Sequence, residues 1–367
     1  MHADDFAYDL PEELIAAHPA QRRDGSRLLI VPSDPAEPAR HRHFADIAEF
    51  LRPGDLLVMN TTRVIPARLY ARRPSGGQVE LLLLEAQPPA DGRPTWSALA
   101  RPARKVRPGD VLELPGDVSA RVLAERGAGE RVLAFDIAPA RFHEWLEAAG
   151  RMPLPPYILR RREVETPGAD FTDEDRDRYQ TVYARQPGSV AAPTAGLHFT
   201  RELLDAQRAR GVETAELVLH VGAGTFRTMD PGSDIAAHAM HEEAYEIPAA
   251  TAAAIARAHD EGRRVVAVGT TTTRALEAAA IGPGRVAAGP ARTALMIAPG
   301  HRFNIVGGLI TNFHLPRSTL LLLVAAMIGR RRLLALYEEA IAHRYRFYSY
   351  GDAMALSVMP HPPTQED

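Results

Sequence analysis

The sequence predicts an α/β core, a sheet with packed helices, interrupted by a small inserted antiparallel β-sheet or barrel. Three observations lead there. From Glu213 onward, strand, loop and helix patterns alternate, as in a sheet covered by helices. Between about Ala67 and Ala138 the texture changes to short apolar runs separated by turn signals, the spacing of a small antiparallel sheet or barrel. Finally, Met152-Pro-Leu-Pro-Pro-Tyr157 is a stiff connection suited to re-entry from an insert into a core. The expected division is residues 1–66 and 151–367 for the core and 67–150 for the insert.

In chain order, Asp9-Leu-Pro-Glu-Glu-Leu-Ile15 opens a short helix and Ser26–Val31 is a strand between turn-forming clusters. Phe44–Phe50 reads as helical, and Arg52-Pro-Gly-Asp55 turns into the strand Leu56–Asn60. The insert's strands are expected at 67–72, 78–85, 96–100, 111–114, 119–125 and 131–137, followed by a helix over 140–149 that Gly150 closes. Asp170–Arg178 reads as a charged, mobile stretch. Thr200 has the chemistry of an N-cap, with Glu202 in the positive first turn and Gly211 as the stop. Strands follow at 213–221, 264–268, 293–298 and 309–311, and helices at 248–261, 273–281, 318–328 and 331–343.

Composition removes several chemistries. The chain has 367 residues, a formal net charge of −3 and no cysteine, so disulfides, thiolate metal sites, iron–sulfur clusters and cysteine nucleophiles are excluded. Lys105 is the only lysine, which leaves Schiff-base chemistry to that residue alone. The slight acidity argues against indiscriminate nucleic-acid binding, though arginines gather at 68–73, 101–107, 160–162 and 330–332. The acidic start does not resemble a signal peptide, and Leu320–Ile328 is far shorter than the ~20 residues of a membrane span. A cytoplasmic protein away from membranes is the expectation.

The candidate chemistry lies in loops. Val190-Ala-Ala-Pro-Thr-Ala-Gly-Leu-His-Phe-Thr200 places Thr194, Gly196 and His198 in a tight loop that opens into a helix, although a Pro/Gly turn with a surface histidine has the same pattern. Leu217–Phe226 runs through His220 into Gly222-Ala-Gly224-Thr225. Those glycines permit close backbone approach to a ligand, but a lone G-x-G also fits a plain strand-end turn. In Val265–Arg274 an apolar strand meets Gly269, and Thr270–Thr273 lead a helix whose amides favour an anion or polar ligand edge. Leu309–Thr319 repeats that plan with Asn312 and His314. In open α/β sheets such loops converge at strand carboxyl ends. His238-Ala-Met-His241-Glu242 suits acid/base work by His241 or Glu242 better than a metal, because the helical H-E-x-x-H spacing is missing. A Ser-His-Asp triad lacks its G-x-S-x-G elbow.

With these loops in hand, the chain resembles the S-adenosylmethionine:tRNA ribosyltransferase-isomerase family of queuosine biosynthesis. The similarity runs in order through Phe6–Pro11, Asn60–Leu69, Arg178-Tyr-Gln-Thr-Val-Tyr-Ala184, Ala192–Thr200, His220–Phe226, His238–Glu242, Ala267–Glu277, Leu309–Leu323 and Tyr345–Met354, nearly the whole chain.

The resemblance implies a large α/β domain interrupted by a small β-barrel domain. It also implies transfer of the ribosyl group of S-adenosylmethionine to 7-aminomethyl-7-deazaguanine at the tRNA wobble position. Epoxyqueuosine-tRNA, adenine and methionine would be the products. S-adenosylmethionine would be a consumed substrate, with no cofactor and no metal, and the chain is expected to be a monomer. In that chemistry the sulfonium acidifies the C5′ hydrogens, a base forms the ylide, and adenine leaves as the ring opens. The aminomethyl nitrogen attacks C1′, and an oxygen displaces methionine to close the epoxide. Acid or base roles then fall to His198, His220, His241, His314 or Glu242. Ribose and methionyl contacts fall to Thr194, Gly196, Gly222, Gly224, Thr225, Gly269, Thr270, Thr271 and Asn312. Arg63, Arg178 and Arg274 would pair with a carboxylate or tRNA phosphates, and Tyr179 or Phe313 would stack on a splayed base. Three competing readings are a conventional methyltransferase, a noncatalytic tRNA-binding module and a metal hydrolase around His238 and His241.

Overall fold

A computed structural model of the chain describes residues 1–168, 170–222 and 228–359. Gly224 and Thr225, two of the expected ligand contacts, lie outside the described residues.

The first strands are β1 (Arg27–Val31), β2 (Arg40–His43), β3 (Leu56–Asn60) and the short β4 (Thr62–Val64). The insert follows as β5 (Arg68–Arg72), β6 (Gln78–Ala90), β7 (Arg93–Arg101), β8 (Val111–Leu114), β9 (Val118–Glu125) and β10 (Glu130–Phe135). These six close into an antiparallel barrel in the order β10-β7-β6-β5-β8-β9. Closure leaves no free strand edge and one dry interior. The period of two sends Leu69, Ala71, Val79, Leu81, Leu83, Ala98 and Ala100 inward, and α1 (Pro139–Ala149) plugs the barrel with Phe142 and Leu146. Where the chain leaves and re-enters the core, Arg68 and Arg151 exchange backbone hydrogen bonds of 3.1 and 2.8 Å. Gly150 is required at that crossing, because a Cβ there would stand 2.0 Å from the Pro66 carbonyl.

The core resumes with α2 (Pro156–Glu165), α3 (Glu174–Arg178), β11 (Gln186–Ser189), α4 (Arg201–Ala209) and β12 (Glu213–Leu219). Next come β13 (Glu243–Ile247), α5 (Ala249–Asp260), β14 (Val265–Val268), α6 (Thr270–Ala278), β15 (Ala280–Gly282), β16 (Arg285–Val286) and β17 (Gly289–Thr293). The chain closes with β18 (Gly308–Asn312), α7 (Thr319–Ile328), α8 (Arg330–Ala342) and β19 (Ala353–Ser357). Among the described residues one mixed sheet has the order β17-β13-β12-β3-β14-β18-β19-β1-β2.

The central strands β12, β3, β14 and β18 are parallel neighbours, so their carboxyl ends share one rim. Alternate residues feed two faces. Val58, Leu217, Ala267 and Leu309 pack under α5 to α8, while Leu57, Met59, Val266 and Ile310 meet Phe44, Phe199 and Leu204 of α4 on the other side. Burying both faces explains the near-continuous apolar runs of these strands.

Several expected boundaries shift. Asp170–Arg178 is not a loose stretch: Asp175 is buried and accepts two hydrogen bonds, 2.6 and 2.8 Å, from the buried Arg162. Thr293–Ala298 is not a strand, since β17 ends at Thr293 and the next residues cross the surface of α6 without a pairing partner. Helix α6 begins at Thr270, ahead of the expected Thr273, because Gly269 turns the chain sharply with φ +92°.

Candidate active site

At the shared rim of parallel strands lies a cleft. Its floor is the end of β18, Thr311 to Leu315, and its flanks are Ala192–Ala195, Val221 and Gly269–Thr271. Tyr157, Tyr348 and Ser349 form the outer wall. Two helices begin here, α6 at Thr270 and α7 behind its N-cap Ser318, whose Oγ accepts from the Leu321 amide at 3.2 Å. Both present partially positive ends to the cleft.

Asn312 organises the floor. Its Oδ1 accepts from Thr194 Oγ1 at 3.0 Å, and its Nδ2 donates at 3.1 Å to both the Tyr348 carbonyl and His198 Nε2. His198 Nε2 is therefore an acceptor and Nδ1 carries the proton, donated to Ser26 Oγ at 2.7 Å. With both ring nitrogens engaged and Phe44 stacked at 5.0 Å, His198 sits behind the floor and does not line the cleft. It holds Asn312 from behind.

His314 does line the cleft. Its Nε2 meets Thr311 Oγ1 at 2.8 Å, its backbone amide donates to Tyr337 Oη at 2.9 Å, and Tyr8 donates to its carbonyl. Burial pushes its imidazole down to about 3 and that of His198 down to about 4. Both are neutral at physiological pH, so His314 is not a resting acid there, and the burial that keeps it neutral also weakens it as a base while the cleft holds no anion.

The sign of the pH effect follows. Both histidines have folded pKa values below the ordinary 6.5, so as the pH falls the unfolded chain takes up protons first. Their contribution to stability is complete above about pH 6.5 and is lost as the pH drops toward about 4 and 3, at up to about 1.4 kcal/mol per pH unit for each histidine. Urea midpoints at pH 7 and pH 5 should therefore differ more for the native chain than for His198→Asn. Equal differences would contradict this burial.

Thr194, Gly269, Thr270, Thr271, Asn312 and His314 are thus brought together, as their loops suggested. The remaining candidates lie elsewhere. Gly196 is buried against Tyr183 and Thr181. His220 packs over Gly188 with Nδ1 2.9 Å from Thr62 Oγ1, and burial lowers its pKa. Gly222 donates its amide to Glu243 at 3.1 Å. His241 and Glu242 are exposed, and Glu242 pairs with Arg292 at 3.1 Å. The sheet explains this: β13 starts one residue later, and its alternation turns Glu243 inward, where it pairs with the buried Arg274. Arg274 is consequently committed to Glu243 and to the Leu295 carbonyl and does not line the cleft.

Tyr179 is fully buried with its ring edge-on to Tyr350 at 5.9 Å, and Phe313 is enclosed by Tyr337, Tyr345 and Phe347. Neither can receive a base on a free face. Arg63 is exposed on β4, and Arg178 donates to the Gln21 and Ala20 carbonyls and pairs with Glu174. Lys105 is exposed on the barrel, away from the cleft lining. Among the described residues, the one group of three side chains able to share a metal ion is His41, Glu339 and His343, and none of them lines the cleft.

Sequence reasoning missed Tyr157 and Tyr348, whose rings meet at 4.6 Å. Tyr348 has φ +73°, a conformation rare for a bulky residue, and this turns its carbonyl to Asn312. The dense aromatic run Tyr345-Arg-Phe-Tyr-Ser-Tyr350 was the available signal.

Comparisons with known proteins agree on one assignment. A family model described as "Queuosine biosynthesis protein" matches residues 3–356. An S-adenosylmethionine:tRNA ribosyltransferase-isomerase of Anaeromyxobacter sp. (strain Fw109-5) is 51% identical over 357 residues, covering 97% of this chain and 99% of its own. The enzyme of that name from Gloeobacter violaceus is 50% identical over 355 residues, 96% of this chain and 95% of its own. A crystal structure of S-adenosylmethionine tRNA ribosyltransferase from Thermotoga maritima superposes with a TM-score of 0.53 at 37% identity, covering 96% of this chain and 99% of that one. A match over almost the entire length, through both the barrel and the sheet that carries the cleft, places this chain in the queuosine biosynthesis protein family.

Proposed function

We propose that this chain transfers and isomerises the ribosyl group of S-adenosylmethionine onto 7-aminomethyl-7-deazaguanine at the tRNA wobble position, giving epoxyqueuosine-tRNA, adenine and methionine. The observation that carries the reading is the cleft: hydroxyls of Thr194, Thr270, Thr271 and Thr311, two helix N-termini and the neutral His314 converge on one apolar-walled space. That set suits a sulfonium nucleoside. Threonine hydroxyls and the first amides of α6 can hold ribose oxygens and the methionyl carboxylate. The dry wall of Tyr157 and Tyr348 excludes water from a reactive ylide. His314, whose basicity the methionyl carboxylate of bound substrate would raise, takes the C5′ proton, and Asn312, locked by Thr194 and His198, fixes the sugar. S-adenosylmethionine is consumed as a substrate, with no other cofactor required, and the reaction belongs in the cytoplasm with a monomeric enzyme.

Incubation with labelled S-adenosylmethionine and tRNA, with and without the aminomethyl base, tests this. Adenine release that depends on the modified tRNA is expected. Methyl transfer to tRNA, or the absence of either product, would reject the reading. Binding of tRNA should also weaken as salt rises, through loss of arginine–phosphate contacts. A flat salt response would assign the arginine clusters to solvated faces.

A further inference from the structure

A second cavity adjoins the first, and Tyr157, Leu315 and Tyr348 belong to the lining of both. One side of it is core, the run Pro153–Pro156 that leads into α2. The other side is the outer face of the barrel. Inward positions of β5, β6 and β7 fill the barrel, so Arg68, Glu80, Leu82, Leu99 and Arg101 point outward by the period of two. Register gathers them into one patch: Arg68 opposes Leu82, Leu82 opposes Leu99, and Glu80 opposes Arg101.

Leu82 and Leu99 lie side by side and only partly covered, flanked by charge. Arg68 is buried, pairs with Glu80 and donates to the Leu154 carbonyl at 2.8 Å. Arg101 and Arg160 are exposed at the margin. Among the described lining residues Glu80 is the one acidic group.

We propose that this second cavity receives the wobble nucleotide of the tRNA, with the base against Leu82 and Leu99, its aminomethyl group on Glu80, and a neighbouring phosphate on Arg101 and Arg160. The proposal rests on the ribosyl-transfer reading above. An aminomethyl group is an ammonium near pH 7, whereas the backbone is anionic, and a cavity with one carboxylate among arginines matches that pattern of charge; the ammonium gives a proton to Glu80 before its nitrogen, then a neutral amine, attacks C1′. The shared wall of Tyr157, Leu315 and Tyr348 sets the base next to the sugar bound in the first cleft, as attack at C1′ demands. Glu80 is then the specificity-determining residue that distinguishes the modified base from guanine.

The test measures binding of the full chain to one tRNA carrying either the aminomethyl base or guanine at the wobble position, together with calorimetric binding of S-adenosylmethionine. The native chain should prefer the modified tRNA. Glu80→Gln should lose about tenfold or more of that preference, leaving the guanine tRNA and S-adenosylmethionine affinities unchanged. Arg101→Glu, an exposed change with little risk to folding, should weaken both tRNAs alike and leave S-adenosylmethionine binding intact. Full discrimination by a folded Glu80→Gln chain, or unaltered tRNA binding by Arg101→Glu, would overturn the proposal. Failure of the ribosyl-transfer reading looks different: the native chain would then release no adenine with the modified tRNA.

Discussion

Replacing His314 by alanine is expected to slow adenine release by about 10²- to 10⁴-fold, the range of a positioned acid or base. The side chain lines the cleft, Thr311 Oγ1 occupies Nε2, and Nδ1 makes no hydrogen bond among the described residues. In the tautomer that donates Nε2–H to Thr311 Oγ1, Nδ1 keeps a lone pair that can accept a proton. The loss should appear in kcat under saturating S-adenosylmethionine, with KM changed little, because a proton acceptor contributes mainly in the transition state. Thr311→Val should show a milder loss of the same kind by freeing the ring. A His314→Ala enzyme that turns over at the native rate would remove the residue from the chemistry.

Glu243→Ala should destabilise the protein by about 3–5 kcal/mol, the cost of leaving a buried partner charge uncompensated. Glu243 and Arg274 are 5% and 3% exposed, which puts this pair in the strong class, and the same carboxylate accepts from the Gly222 amide. Its neighbour supplies the control. Glu242 is 62% exposed in its pair with Arg292, so Glu242→Ala should shift stability by less than about 1 kcal/mol. Denaturant titration of both variants decides the matter, and matching midpoints would show that burial does not separate the two carboxylates.

That contrast shows what a sequence can and cannot convey. His238-Ala-Met-His-Glu-Glu243 advertises titratable groups, but which of them faces inward depends on the first paired residue of β13, Glu243 opposite Thr293, a one-residue question of register. The barrel strands were legible because short apolar runs are separated by turn signals, as where Arg73-Pro-Ser-Gly-Gly77 parts β5 from β6. Strand β19, Ala353–Ser357, carries no such signature, since both faces are covered between β18 and β1. Helix α2 hid behind its prolines, although Pro156 at the first helical position is where proline is tolerated. Of the candidate loops, those after β14 and β18 delivered Gly269, Thr270, Thr271, Asn312 and His314 to the cleft, because parallel strands end on the same rim.

Local chemistry alone determined the alternation of strands and helices, the glycine and threonine turns at strand ends, the cap at Thr200 and the absence of thiol chemistry, because each depends on residues a few positions apart. Only the tertiary structure decided that His198 holds Asn312 from behind while His314 faces the cleft, and that Tyr157 and Tyr348, nearly two hundred residues apart in the chain, share one wall. Burial and partner choice are properties of packed surfaces, and the order in which strands join a sheet, not their order along the chain, sets which side chains meet.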